Sequence, residues 1–137
     1  INTSAFVGSY TNSPDFDFNF AIADLPGGAA DLSENNVFRV KIWSPTAPAL
    51  ALLKFEGGGQ FVEKTVNITT ANAWVEYTFD LSKGEYNTLM TKVLISFNSF
   101  VLGDDKTYYF DDIVAVKDEA YETFETPSGI SWATFNG

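Results

Sequence analysis

A chain of 137 residues with 45% hydrophobic residues, among them 13 Phe, 6 Tyr and 3 Trp, has enough apolar material for one core and does not belong to the disordered class despite a net charge of −10. His and Cys are absent, which removes Ser-His-Asp and Cys-His catalysis, disulfides, and zinc held by imidazole or thiolate. The 18 Asp and Glu against 8 Lys and Arg repel a phosphate backbone, so nucleic acid is not an expected partner. The apolar runs fall well short of the roughly 20 residues of a membrane-spanning helix, so no membrane insertion is expected. Any chemistry must use carboxylates, hydroxyls, amides, amines and aromatic faces. The chain reads as soluble, and its start at Ile1 reads as that of a processed or excised piece.

The apolar period is two almost everywhere, which predicts an all-β protein. In "DFDFNFAIA", from Asp15 to Ala23, Phe16, Phe18, Phe20 and Ile22 share one face and are the expected core face, with Asp17 and Asn19 opposite. A Gly, Asp and Asn-rich connection leads to "VFRVKIWSP", Val37 to Pro45, where Phe38, Val40 and Ile42 face one way and Arg39, Lys41 and Trp43 the other. Further strands are predicted at Ala49 to Glu56, Phe61 to Thr69, Trp74 to Leu81, Lys92 to Phe100 and Thr107 to Lys117. They are separated by turn sequences such as "EGGGQ", "TTANA", "SKGEYN" and "LGDDK". Short strands at this spacing predict an antiparallel β-sandwich in a single domain spanning 1–137.

The series "VFRVKIWSP", "ALLKFE", "NAWVEYTFDLS" and "TYYFDDI" resembles the non-catalytic carbohydrate-binding modules appended to polysaccharide-degrading enzymes of marine and gut Bacteroidetes, laminarinases among them. The likeness covers roughly Val37 to Lys117. It implies a β-jelly roll of the galactose-binding-like type, a secreted or cell-surface location, a place within a larger multidomain protein, and a polysaccharide partner with β-1,3-glucan favoured.

A pyranose presents apolar C–H faces and a rim of hydroxyls, so a site for it needs exposed aromatic rings flanked by polar groups. Trp43 fits, because a strand face that also carries Arg39 and Lys41 is not expected to be the buried one. Asp17 and Asn19, opposite the Phe stripe, and Ser96 and Asn98, alternating with Ile95 and Phe97, are candidates to bond hydroxyls. Each has a plain alternative as part of a solvated face. Trp74 is expected to pack inside, as the matching position of the resembled modules does.

From Asp104 to Glu125 the chain carries Asp104, Asp105, Asp111, Asp112, Asp118, Glu119, Glu122 and Glu125 against Lys106 and Lys117, a cluster that repels itself unless a cation sits in it. The resemblance implies a structural Ca²⁺ on Asp111, the first Asp of "FDDI", and Glu125, the Glu of "TFETPSG". Paired carboxylates suffice for glycoside hydrolysis, yet without His and with the shallow groove of a small sandwich an enzyme is not expected. The alternatives are binding of an anionic marine glycan such as alginate or a sulfated galactan, favoured by Arg39 and Lys41, and a structural or adhesive repeat with no glycan ligand. The last segment, 119–137, resembles the "FE" and Trp-bearing strands that open such modules. It is expected to complete the sandwich in permuted order, because Tyr121, Phe124, Ile130, Trp132 and Phe135 are too apolar for a solvated tail.

Overall fold

The computed structural model describes residues 8–13, 15, 19–25, 31–33, 36–83, 90–98, 104–117, 120–123 and 132–136, and among them there are ten strands and no helix. The strands are β1 (Gly8–Thr11), β2 (Asn19–Asp24), β3 (Val37–Trp43), β4 (Ala49–Gly57), β5 (Gln60–Ile68), β6 (Trp74–Asp80), β7 (Lys92–Phe97), β8 (Thr107–Lys117), β9 (Ala120–Thr123) and β10 (Trp132–Asn136). All pair antiparallel. One sheet runs β1-β8-β3-β6, with β9 also on β8, and the second runs β10-β2-β7-β4-β5. The chain is therefore an antiparallel β-sandwich. Only the β4–β5 and β8–β9 connections stay within one sheet; every other connection crosses to the opposite one.

Alternation decides what each sheet buries. Phe38, Val40 and Ile42 of β3 and Tyr108, Phe110, Ile113 and Ala115 of β8 enter the core from the first sheet. From the second come Ala49, Ala51, Leu53 and Phe55 of β4 with Val93, Ile95 and Phe97 of β7. Phe97 joins the two layers: its ring stacks on Tyr108 (centroids 4.8 Å, 3° between planes) and meets Tyr10 edge-on at 5.4 Å. At Gly8, paired with Phe110, an added Cβ would run into the Phe110 ring, so β1 reaches its place on β8 through glycine.

The expected core face of the strand that became β2 is corrected. Ala21 and Ala23 are buried at 2% and 3% exposure, whereas Phe20 and Ile22 lie half-buried on the outward side; Phe16 and Phe18 fall outside the described residues. In register, Ala21 and Ala23 stand beside Ile95 and Val93, and small residues there leave room for the aromatic layer opposite. Ile22 stands beside outward Leu94, which with Leu52 is buried apart from the main core. A strand apolar on both faces gives no sign of which one is inward.

A polar network closes one end of the sandwich. The Tyr108 hydroxyl donates to Asp104 Oδ2 at 2.6 Å, Asn98 Nδ2 donates to the Tyr108 hydroxyl at 3.2 Å, and the Leu50 amide donates to Asn98 Oδ1 at 2.7 Å. Asn98 sits at φ 49, a left-handed conformation that Asn tolerates better than most residues. Burial pushes the hydroxyls of Tyr10 and Tyr108 far above the ordinary tyrosine range, and the Asp104 carboxylate adds to this at both. Tyrosines of the unfolded chain ionise near pH ~10, while these two hold their protons in the fold. Their contribution to stability is therefore intact below about pH 10 and falls as pH rises beyond it. An alkaline titration followed by phenolate absorbance is expected to show that two or more of the 6 tyrosines ionise only together with unfolding. A titration in which all ionise before the far-ultraviolet dichroism changes contradicts this.

Candidate functional site

The outward face of the first sheet carries the aromatic candidates. Because Ile42 points into the core, Trp43 points out, and the register sets Trp74 of β6 on one side of it and Tyr109 of β8 on the other. Side chains directly opposite across antiparallel strands share a face with Cβ atoms roughly 5 Å apart. Trp43 and Tyr109 meet edge to face, with centroids 5.7 Å apart, and all three rings are half-buried. Exposed Ser9 of β1, opposite Tyr109, extends the row.

Loops at the end of β3 hold this row in place. Ser44, buried directly after Trp43, donates from its hydroxyl to the Thr46 carbonyl at 2.6 Å and accepts from the Thr46 amide at 3.3 Å. The Asn72 amide donates to the Ser44 carbonyl at 2.7 Å, tying the loop before β6 to the loop after β3. Trp43 and Trp74 thus stand on strand ends joined by backbone bonds.

Next to the aromatic row lie two ion pairs. Lys41 Nζ is 2.9 Å from Asp112 Oδ2, and Arg39 Nη1 is 3.6 Å from Glu76 Oε1. Hydrogen bonding to Asp112 raises the Lys41 ammonium above its ordinary range; partial burial opposes this, and the charges of Asp112, Glu76 and Asp111 add to it. The acidic side arises from a β-bulge: the β3–β8 register jumps between Arg39 and Lys41, and Asp112 takes φ 50. Phe110 and Ile113 both enter the core, so Asp111 and Asp112 share the outward side between them. Asp111 is buried at 4% exposure, and its Oδ1 accepts the Asp112 amide at 2.8 Å.

Of the residues singled out from sequence, Arg39, Lys41 and Trp43 gather on this face, with Asp111 beside them. Ser96 lies on the other sheet, buried at 2% exposure beside Leu52. Asn98 spends its side chain on Leu50, Tyr108 and Asp104. Asn19 opens β2 opposite Asn136, and Asp17 and Glu125 lie outside the described residues. Tyr109 and Glu76 were not anticipated, and Asp112 was singled out only as a member of the acidic run. Trp74, expected inside, shares the outward face of Trp43; the available signals were that Trp74 alternates with polar Glu76 and Thr78 along β6 and that Tyr108 and Tyr109 must point to opposite sides.

For calcium, Asp111 offers a buried carboxylate, but among the described residues no group of three or more acidic side chains converges as a metal site. The ammonium of Lys41, paired with adjacent Asp112, stands close by. No protein-family model matches the chain, and no curated protein matches it.

Proposed function

We propose that the chain is a non-catalytic carbohydrate-binding module that holds a polysaccharide on the outward face of the β1-β8-β3-β6 sheet. The observation that carries this reading is the row Tyr109, Trp43 and Trp74, three partly exposed rings on one rigid sheet face beside Lys41, Glu76, Arg39 and Asp112. Sugar C–H faces stack on such rings, and charged and amide side chains at their rim bond the hydroxyls. The strand orders β1-β8-β3-β6 and β2-β7-β4-β5 support reading the sandwich as a jelly roll, two Greek keys wrapped together, with β9 and β10 added to its edges. A secreted or cell-surface location and attachment to a larger polysaccharide-degrading protein are part of the proposal.

The ligand is proposed to be a neutral glycan, β-1,3-glucan first. Arg39 and Lys41, the argument for an anionic glycan, each already face a carboxylate. A uronate or sulfate would have to displace Glu76 or Asp112 and lie close to the other acid. A structural or adhesive repeat calls for an outer sheet without aromatics, and the Trp43 row counts against it.

The test is Trp43→Ala. Loss of a central ring is expected to weaken binding of laminarin in affinity electrophoresis about tenfold or more, a change of ~1.4 kcal/mol, while the cooperative melt persists with a modest decrease in Tm from the lost Tyr109 contact. Unchanged laminarin binding would remove Trp43 from the site. Calcium is a separable part of the proposal. If Asp111 and Glu125 hold a structural ion, EDTA lowers the Tm of the wild type, and Asp111→Ala abolishes that sensitivity. A wild-type melt indifferent to both chelator and added calcium removes the ion.

A further inference from the structure

The second sheet has its own exposed aromatic. Phe61 is the second residue of β5, just past the Gly58–Gly59 turn, and is 56% exposed, the most exposed large hydrophobic side chain among the described residues. A phenyl ring left this open on an edge strand is a liability unless something covers it. It ends a row across four strands on the outward face: Asp24 stands beside Lys92, Lys92 beside Glu56, and Glu56 beside Phe61.

The charges in this row balance one another. Lys92 Nζ lies 2.7 Å from Asp24 Oδ1, Lys54 Nζ lies 3.0 Å from Glu56 Oε2, and the same Lys54 ammonium sits 4.5 Å from the centroid of the Phe61 ring. The ammonium lies over the ring in a cation–π contact. Between the hairpin tip and the start of β7 lies an open pocket of about 290 Å³, lined by Phe61, Glu56, Gln60, Gly59, Thr91 and Lys92 among others. At the tip, an added Cβ at Gly59, at φ 78, would meet nothing within 4 Å.

We propose that this hairpin pocket is a second saccharide site, taking a single neutral hexopyranose ring at a chain end or side branch. Its volume is just below the ~300–1,000 Å³ usual for small-molecule sites, room for one ring. Its chemistry is a ring face for sugar C–H groups, ringed by a carboxylate, an amide, a hydroxyl and an ammonium that donate to and accept from hydroxyls. Pairing of both lysines with carboxylates removes the net positive charge that a phosphate, sulfate or uronate would need. The site is on the opposite sheet from Trp43 and depends on nothing in the Trp43 surface. With both present, the module engages one polysaccharide at two points or bridges two chains.

The test is a titration of isotope-labelled protein with methyl glycosides of D-glucose, D-galactose and D-mannose, followed by backbone amide shifts. At least one sugar is expected to shift the amides of Gly57 to Phe61 and Thr91 saturably in the wild type and in Trp43→Ala. The same shifts are expected to vanish in Phe61→Ala, which should fold because the ring is exposed, and to weaken in Gln60→Ala. Absence of saturable shifts at these amides with all three sugars, or their persistence unchanged in Phe61→Ala, overturns the proposal. Loss of glycan binding in Trp43→Ala with the hairpin shifts intact separates the two sites.

Discussion

Phe97→Ala is expected to destabilise the fold by ~3–5 kcal/mol, the cost of emptying a fully buried phenyl position. Phe97 is a point where the two sheets share one aromatic cluster, stacked on Tyr108, edge-on to Tyr10 and 6.2 Å from Phe110, alongside the Phe38–Phe55 contact at 4.7 Å. Truncation also strips the packing from the Tyr108 ring whose hydroxyl anchors Asp104 and Asn98, so the loop network loosens with the core. Against a total stability on the order of 5–15 kcal/mol, such a loss moves the urea midpoint far toward zero or unfolds the chain outright. Phe97→Leu, which keeps most of the volume, should cost markedly less. A Phe97→Ala midpoint within experimental error of wild type would show that the sheets are held together elsewhere.

Removing residues 119–137 is expected to do comparable damage by another route. β10 lies along β2 over Trp132 to Asn136, and β9 lies along β8 over Ala120 to Thr123. Without β10, β2 becomes an edge with open backbone groups, and its outward Ile22 lies beside Leu94. An exposed edge of this kind pairs with other copies. The truncated chain should therefore aggregate or melt well below the full one in light scattering and dichroism. A truncated protein that stays monomeric, cooperative and equally stable would show these two strands to be dispensable.

β3 was legible because apolar and polar residues alternate along it, and Val37 to Trp43 buries every second residue, whereas β7 was legible as a short apolar run between turn sequences. β1 was not: "GSYT" is four residues long with one apolar side chain, and its pairing depends on the Gly8 fit against Phe110. The face of β2 was misjudged because its Phe and Ile positions outweigh its Ala positions in any count of apolarity, although the layer opposite needs small residues.

At the candidate site, Arg39, Lys41 and Trp43 follow from alternation along one strand. That Trp74 and Glu76 share a polar face follows from alternation along β6, but their place beside Trp43 and Lys41, and that of Tyr109, follows only from register, a property of strand pairs. The bulge that sets Asp111 and Asp112 on one side breaks the alternation itself. Ser96 and Asn98 show the opposite failure. Their polar character resembles a solvated face, but β7 is a central strand beside Leu52, and Asn98 leaves it at positive φ to serve the loops.

The most direct measurement is calorimetric titration of the intact chain with laminarin, mixed-linkage β-glucan, alginate and a sulfated galactan at moderate ionic strength. The ring row with its neutralised cations predicts saturable heat with laminarin and little or none with the two anionic glycans. The absence of saturable heat with every glycan, or stronger binding of alginate or the sulfated galactan than of laminarin, would contradict it.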